Sequence, residues 1–212
     1  ISQGMDAVQN PYAPGAGTPP PELAGREELR EAARVALARI RAGKPSKSLL
    51  MVGLRGVGKT VLLDKMREDA EAAGLRTIRV EAPENRSLPA ILAPQLRIAL
   101  LQLSRDEKAK DLAQRALRGL AGFAKALKLK YQDIEVGFDF EPEPGLADNG
   151  DLEHDLQALL EVAGSAAQKA GTALALFIDE LQYVEEEQLA SLITALHRTA
   201  QRGLPVALIG AG

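Results

Sequence analysis

Apolar residues recur at helical spacing soon after the start of the chain. Leu29, Ala33, Leu37 and Ile40 share one face of a helix predicted over Glu22 to Ala42, which Gly43 and Pro45 end. A short apolar run, Ser48 to Val52, leads into the glycine-rich segment Gly53 to Thr60. From Val61 to Ala73 the helical period returns, and Gly74 stops it. Arg76 to Ala82 alternates about Ile78 and Val80 and predicts a strand. Strand, loop, helix and strand in this order make a βαβ unit with parallel strands.

Ser87 is placed to cap a helix that runs to about Leu103, and Ser104 or Asp106 to cap another that runs to about Leu129. Tyr131 to Phe140 alternates through Ile134, Val136 and Phe138 and predicts a hairpin or edge strand. Asp139 to Asp155 is acidic, contains Pro142, Pro144 and Gly145, and reads as a surface loop. Leu152 to Ala170 is helical. Ala173 to Ile178 is a wholly apolar strand of the kind buried between helices, Glu185 to Gln201 is helical, and Pro205 to Ile209 is a further apolar strand. Upstream, Asn10 to Pro21 is rich in Pro, Gly and Ala and predicts an extended arm, and Ile1 to Gly4, ahead of Met5, read as an expression scar. The organisation expected is scar and arm over 1–21 and one α/β core over 22–212, with a hairpin and acidic-loop insertion at 130–150.

A chain of 212 residues can bury a real core without disulfide or metal staples. A net charge of −3 excludes a uniformly basic nucleic-acid coat, although about nine Lys and Arg face three Asp and Glu between Arg97 and Lys130. The absence of cysteine excludes thiol catalysis and cysteine zinc sites and fits a reducing, cytoplasmic setting. Two histidines, His154 and His197, are too few for a histidine-rich metal site, and 3% aromatics without tryptophan argue against a base-stacking platform. The apolar run Ala173 to Ile178 falls far short of the roughly 20 residues a bilayer requires, and no signal-peptide pattern opens the chain, so no membrane partner is expected.

Gly53, Leu54, Arg55, Gly56, Val57, Gly58, Lys59 and Thr60 match G-x-x-x-x-G-K-[ST], between a strand and a helix opening at Val61. The residue types follow from the chemistry. Glycines let successive N–H groups converge on a phosphate, and the helix N-terminus adds partial positive charge. The Lys59 ammonium is placed for β- and γ-phosphate oxygens, and the Thr60 hydroxyl for Mg2+. Downstream, the strand Leu174 to Ile178 ends in Asp179 and Glu180. Such acids also suit the start of a helix. With a phosphate loop upstream, Asp179 is read as the metal-holding carboxylate and Glu180 as the group that activates water. A water-activating base suits a hydrolase better than a small-molecule kinase.

Together these segments resemble the AAA+ ATPases, and most closely the branch of origin-recognition initiators, archaeal ATPases and STAND signalling ATPases. Gly53 to Thr60 is similar to Walker A and Leu174 to Glu180 to Walker B. Leu23-Ala24-Gly25-Arg26-Glu27 is similar to the hydrophobic-Gly-Arg-Glu segment that opens that branch. The resemblance implies a P-loop NTPase fold, a three-layer αβα sandwich whose parallel sheet is ordered 5-1-4-3-2. It implies ATP or ADP with Mg2+ as ligands, and ATP hydrolysis in the full-length protein. It places Gly25 and Arg26 at the adenine pocket and Val61 beside the phosphate loop. Strand five and the helical lid would follow Gly212, which makes the chain a core fragment of weak activity. The sensor-1 polar residue has no clear match, because Gly210-Ala211-Gly212 follow Ile209. No guanine-reading Asn-Lys-x-Asp segment is present, which favours ATP.

An alternative is a nucleotide-gated module that binds DNA or protein and turns over little. For Arg97 to Lys130 a solvated helix face is favoured over a DNA contact. Arg55, Arg198 and Arg202 are candidates for a subunit-bridging arginine in a homo-oligomer, although arginines late in a helix commonly serve its dipole.

Overall fold

The computed structural model describes residues 25–53, 58–128 and 140–212. In chain order its elements are α1 (Arg26–Arg41), β1 (Leu49–Met51), α2 (Lys59–Ala72), β2 (Arg76–Glu81), α3 (Leu88–Leu103), α4 (Lys110–Ala126), α5 (Leu152–Lys169), β3 (Leu174–Asp179), α6 (Glu186–Gln201) and β4 (Val206–Ala211). The expected strand at Tyr131 to Phe140 and the segment Leu23-Ala24 fall outside the described residues, Phe140 apart.

Among the described residues the sheet has four strands, all parallel, in the order β1-β4-β3-β2. This is the order implied for strands one to four. β3 is buried throughout, and its alternate residues serve two cores. Leu174, Leu176 and Ile178 join the larger core with residues of α3, α4, α5 and α6. Ala175 and Phe177, with Ala173 just ahead of the strand, join the smaller one with Ala33, Leu37 and Ile40 of α1 and Leu62, Leu63 and Met66 of α2. Chirality explains the division. The step from β1 to β2 runs across the sheet one way and the steps from β2 to β3 to β4 run back, so right-handed crossovers place α2 and the later helices on opposite faces. Three layers result.

Helix ends follow local chemistry where a cap exists. The Ser87 hydroxyl accepts from the N–H of Ala90, with a proline in the first turn of α3, and the Asp151 carboxylate accepts from the N–H of His154 to open α5. The helix expected from Ser104 or Asp106 begins later. Ser104 ends α3, and Asp106 Oδ1 accepts from the N–H groups of Lys108 (2.8 Å) and Ala109 (3.3 Å), closing a turn, so α4 starts uncapped at Lys110. The acidic loop also departs from a free surface loop. Leu146 and Ala147 are buried, and Gly119 and Gly122 of α4 leave the space they occupy: a Cβ on Gly119 would lie 3.1 Å from the Leu146 side chain.

Candidate phosphate and metal site

The carboxyl ends of the parallel strands gather the candidate residues at one end of the sheet. β1 ends at Met51, level with Ala211 of β4, and β3 ends at Asp179, level with Glu81 of β2. Pairing continues past the strands: the N–H of Gly212 donates to Met51 O (2.9 Å) and that of Gly53 to Gly212 O (3.2 Å). β4 thus runs beyond Ile209, where the sequence pattern ended it. Gly210 makes this possible, because a Cβ there would lie 2.4 Å from Leu181 Cδ1.

Gly53 therefore enters the loop from a fixed point. Leu54, Arg55, Gly56 and Val57 fall outside the described residues. The chain re-enters at Gly58, which caps α2 in the left-handed region (φ 81°), where glycine carries no steric penalty. A Cβ on Gly58 would also lie 3.0 Å from Nη2 of Arg26, so the first residue of α1 lies against the last glycine of the loop, beside Gly25. α2 has no side-chain cap and no acid in its first turn. Its leading N–H groups lack intrahelical acceptors, and no acid in its own first turn offsets the positive end. The Lys59 ammonium donates to Gly53 O (2.5 Å), bridging the two ends of the loop. Thr60 is exposed in the same turn, and Val61 next to it is an exposed apolar side chain.

Asp179 is buried at the tip of β3. Its Oδ1 accepts from the N–H of Glu180 (2.9 Å), and its Oδ2 from Nη2 of Arg79 (3.1 Å). Glu180 is left-handed (φ 57°, ψ 39°), an uncommon conformation for a residue with a side chain, and its carboxylate accepts from the Gln182 amide in the 3-10 turn Leu181–Tyr183. Among the described residues no three His, Asp or Glu side chains converge to cage an ion.

Other candidates lie elsewhere. Arg198 contacts Gln157 (2.7 Å) and Glu153 (3.4 Å), and Arg202 contacts Glu161, all on α5. Both arginines are in the last turn of α6 or just after it, next to the amino end of β4 and away from the phosphate loop. In the basic stretch Arg97 is buried, and Arg115 and Arg118 face Glu143 of the acidic loop. His154 and His197 are exposed. Sequence reasoning missed Arg79. Its one signal was a cation between Ile78 and Val80, on the strand face that α2 covers.

A parallel αβα sheet with a left-handed glycine, lysine and threonine opening the helix after β1 defines a P-loop nucleotide-binding fold. The AAA ATPase domain family model matches residues 22–209, and the chain belongs to that family. Nucleotide binding, with ATP hydrolysis as the general activity, goes with that membership. No curated protein matches the chain. No helix among the described residues is long and apolar enough to cross a membrane.

Proposed function

We propose that this chain binds ATP together with Mg2+ and hydrolyses the β–γ bond, as an AAA+-type switch or motor of the initiator, archaeal and STAND branch. One observation carries the proposal. The start of α2, with no side-chain cap and no acid in its first turn, and the buried carboxylate of Asp179 share the carboxyl end of one sheet, where the one suits an anion and the other a cation. Gly53, Leu54, Arg55, Gly56, Val57 and Gly58 supply the phosphate-binding loop. Lys59 exchanges the Gly53 carbonyl for phosphate oxygens, so its charge is already at the loop before nucleotide arrives. Gly25 and Arg26 line the nucleotide from the start of α1, and Val61 from the first turn of α2. The Thr60 hydroxyl and the Asp179 carboxylate hold Mg2+. When bound, Mg2+ neutralises charge on the β- and γ-phosphates. Glu180 orients a water and takes its proton, and the fixed backbone at φ 57° sets where its carboxylate begins.

Phosphate release from ATP, with and without Mg2+, tests this. Glu180→Gln should keep ATP binding and lose turnover by about 100-fold or more. Wild-type rates in Glu180→Gln would overturn the assignment of the base. Tight ATP binding with turnover no faster than in Glu180→Gln, also in a protein that carries strand five and the lid, would instead favour a nucleotide-gated binding module.

A further inference from the structure

Arg79 stands in the middle of β2, yet its guanidinium lies under α2 and only 22% of its side chain is exposed. Nη1 donates to Val80 O (2.8 Å), Nε to Asp64 Oδ1 on α2 (2.9 Å) and Nη2 to Asp179 Oδ2 (3.1 Å). One cation is thus shared between two carboxylates of different standing. The Asp179 side chain is 5% exposed and ends β3, whereas that of Asp64 is 41% exposed and lies four residues beyond Thr60. With the Glu180 N–H on Oδ1, both oxygens of Asp179 are engaged within the chain.

We propose that Arg79 is a positioning residue that competes with the metal for Asp179. It holds the carboxylate through Nη2 when no metal is bound, and it retires onto Asp64 when Asp179 takes up the ion. The proposal rests on Asp179 being the metal-holding residue. The physical need is plain. An arginine cannot discharge by losing a proton, and a guanidinium and a divalent ion drawn to the same carboxylate repel each other. Stranding the guanidinium half-buried without a partner would be costly, and Asp64 removes that cost. The apparent Mg2+ affinity is then set by the balance of Arg79 between two acids, and nucleotide occupancy is tied to the packing of α2 on β2.

Titration of Mg2+ into the chain with a fluorescent ATP analogue tests this, with binding in EDTA as the reference for each variant. Arg79→Gln should lower the half-saturating Mg2+ concentration about tenfold, a factor equal to about 1.4 kcal/mol. Should Arg79→Gln not fold, Arg79→Lys keeps the charge, cannot span both carboxylates, and should shift the midpoint the same way. Asp64→Asn, at a partly exposed helical position, should raise the midpoint several-fold by leaving Asp179 as the guanidinium's one acidic partner. That rise should vanish in the Arg79→Gln background. A rise that persists there is a direct effect of the Asp64 charge and overturns the proposal, as does an unchanged or raised midpoint in Arg79→Gln. Asp179→Asn separates the two levels. If it abolishes Mg2+ dependence while Arg79→Gln shifts nothing, only the competition fails. If Mg2+ dependence survives in Asp179→Asn, or is absent from the unsubstituted chain, the metal assignment fails and the competition with it.

Discussion

Glu180 is held at φ 57°, and the cost of that backbone can be isolated by comparing Glu180→Gly with Glu180→Ala. Both substitutions delete the carboxylate and its contact with Gln182, so those losses cancel in the comparison. What differs is one Cβ. In the left-handed region the Cβ costs about 1–2 kcal/mol, and glycine returns about 0.4–1 kcal/mol of that through its more disordered unfolded chain. At the middle of both ranges, Glu180→Gly should therefore be the more stable by about 0.8 kcal/mol. For a domain of this size that is a difference of about 1–4 °C in Tm. The sign is diagnostic, because in an ordinary helix or strand alanine is better than glycine by about 0.5–1 kcal/mol. Urea unfolding followed by circular dichroism supplies the free energies, provided the slopes agree. Both variants should fail to hydrolyse ATP, so the more stable one would be inactive, as expected where strain is kept for function. Equal stability, or alanine above glycine, would refute the strain and remove its link to the base.

Gly210→Ala forces a methyl to 2.4 Å from Leu181 Cδ1 and 3.1 Å from Leu50 Cδ2, and should cost about 1–3 kcal/mol in urea unfolding while disturbing the turn that follows Glu180. Asp155 is fully buried and accepts from the N–H groups of Asn149 (3.0 Å) and Gly150 (2.8 Å), so Asp155→Ala should cost about 2–4 kcal/mol and speed proteolysis within 141–151. Two hydrogen bonds from Arg30, at 2.5 and 2.7 Å, hold the Asp69 carboxyl below the usual carboxylate range. A lowered folded-state value means stability present above the unfolded value of about 3.9 and lost as pH falls through the folded one. The small stability gap between the unsubstituted chain and Asp69→Asn should thus be present at neutral pH, close below about pH 4, and narrow with added salt.

What was legible in the sequence was what depends on local pattern. The cap at Ser87, the alternation at Arg76 to Ala82 and the apolar run before Asp179 each carry their meaning within a few residues, and the four described strands lie where the pattern put them. The rest depends on distant partners. β4 continues to Ala211 through Gly and Ala, which signal no strand, because Leu181 fills the space a side chain at Gly210 would need. Asp106 looks like a helix cap and closes a turn instead. Gly119 and Gly122 of α4 make room for Leu146, a contact across the acidic loop that no local pattern announces. Arg79 meets Asp179 from 100 residues away, and nothing in the alternation of β2 distinguishes it from a solvated cation.

Calorimetric titration of ATP into the unsubstituted chain and its Lys59→Ala variant, each with Mg2+ and with EDTA, tests the central claim most directly. The account predicts micromolar ATP binding that tightens with Mg2+ in the unsubstituted chain and is lost in Lys59→Ala. Equal binding by the two proteins, or no binding at millimolar ATP, would contradict a phosphate site at the start of α2.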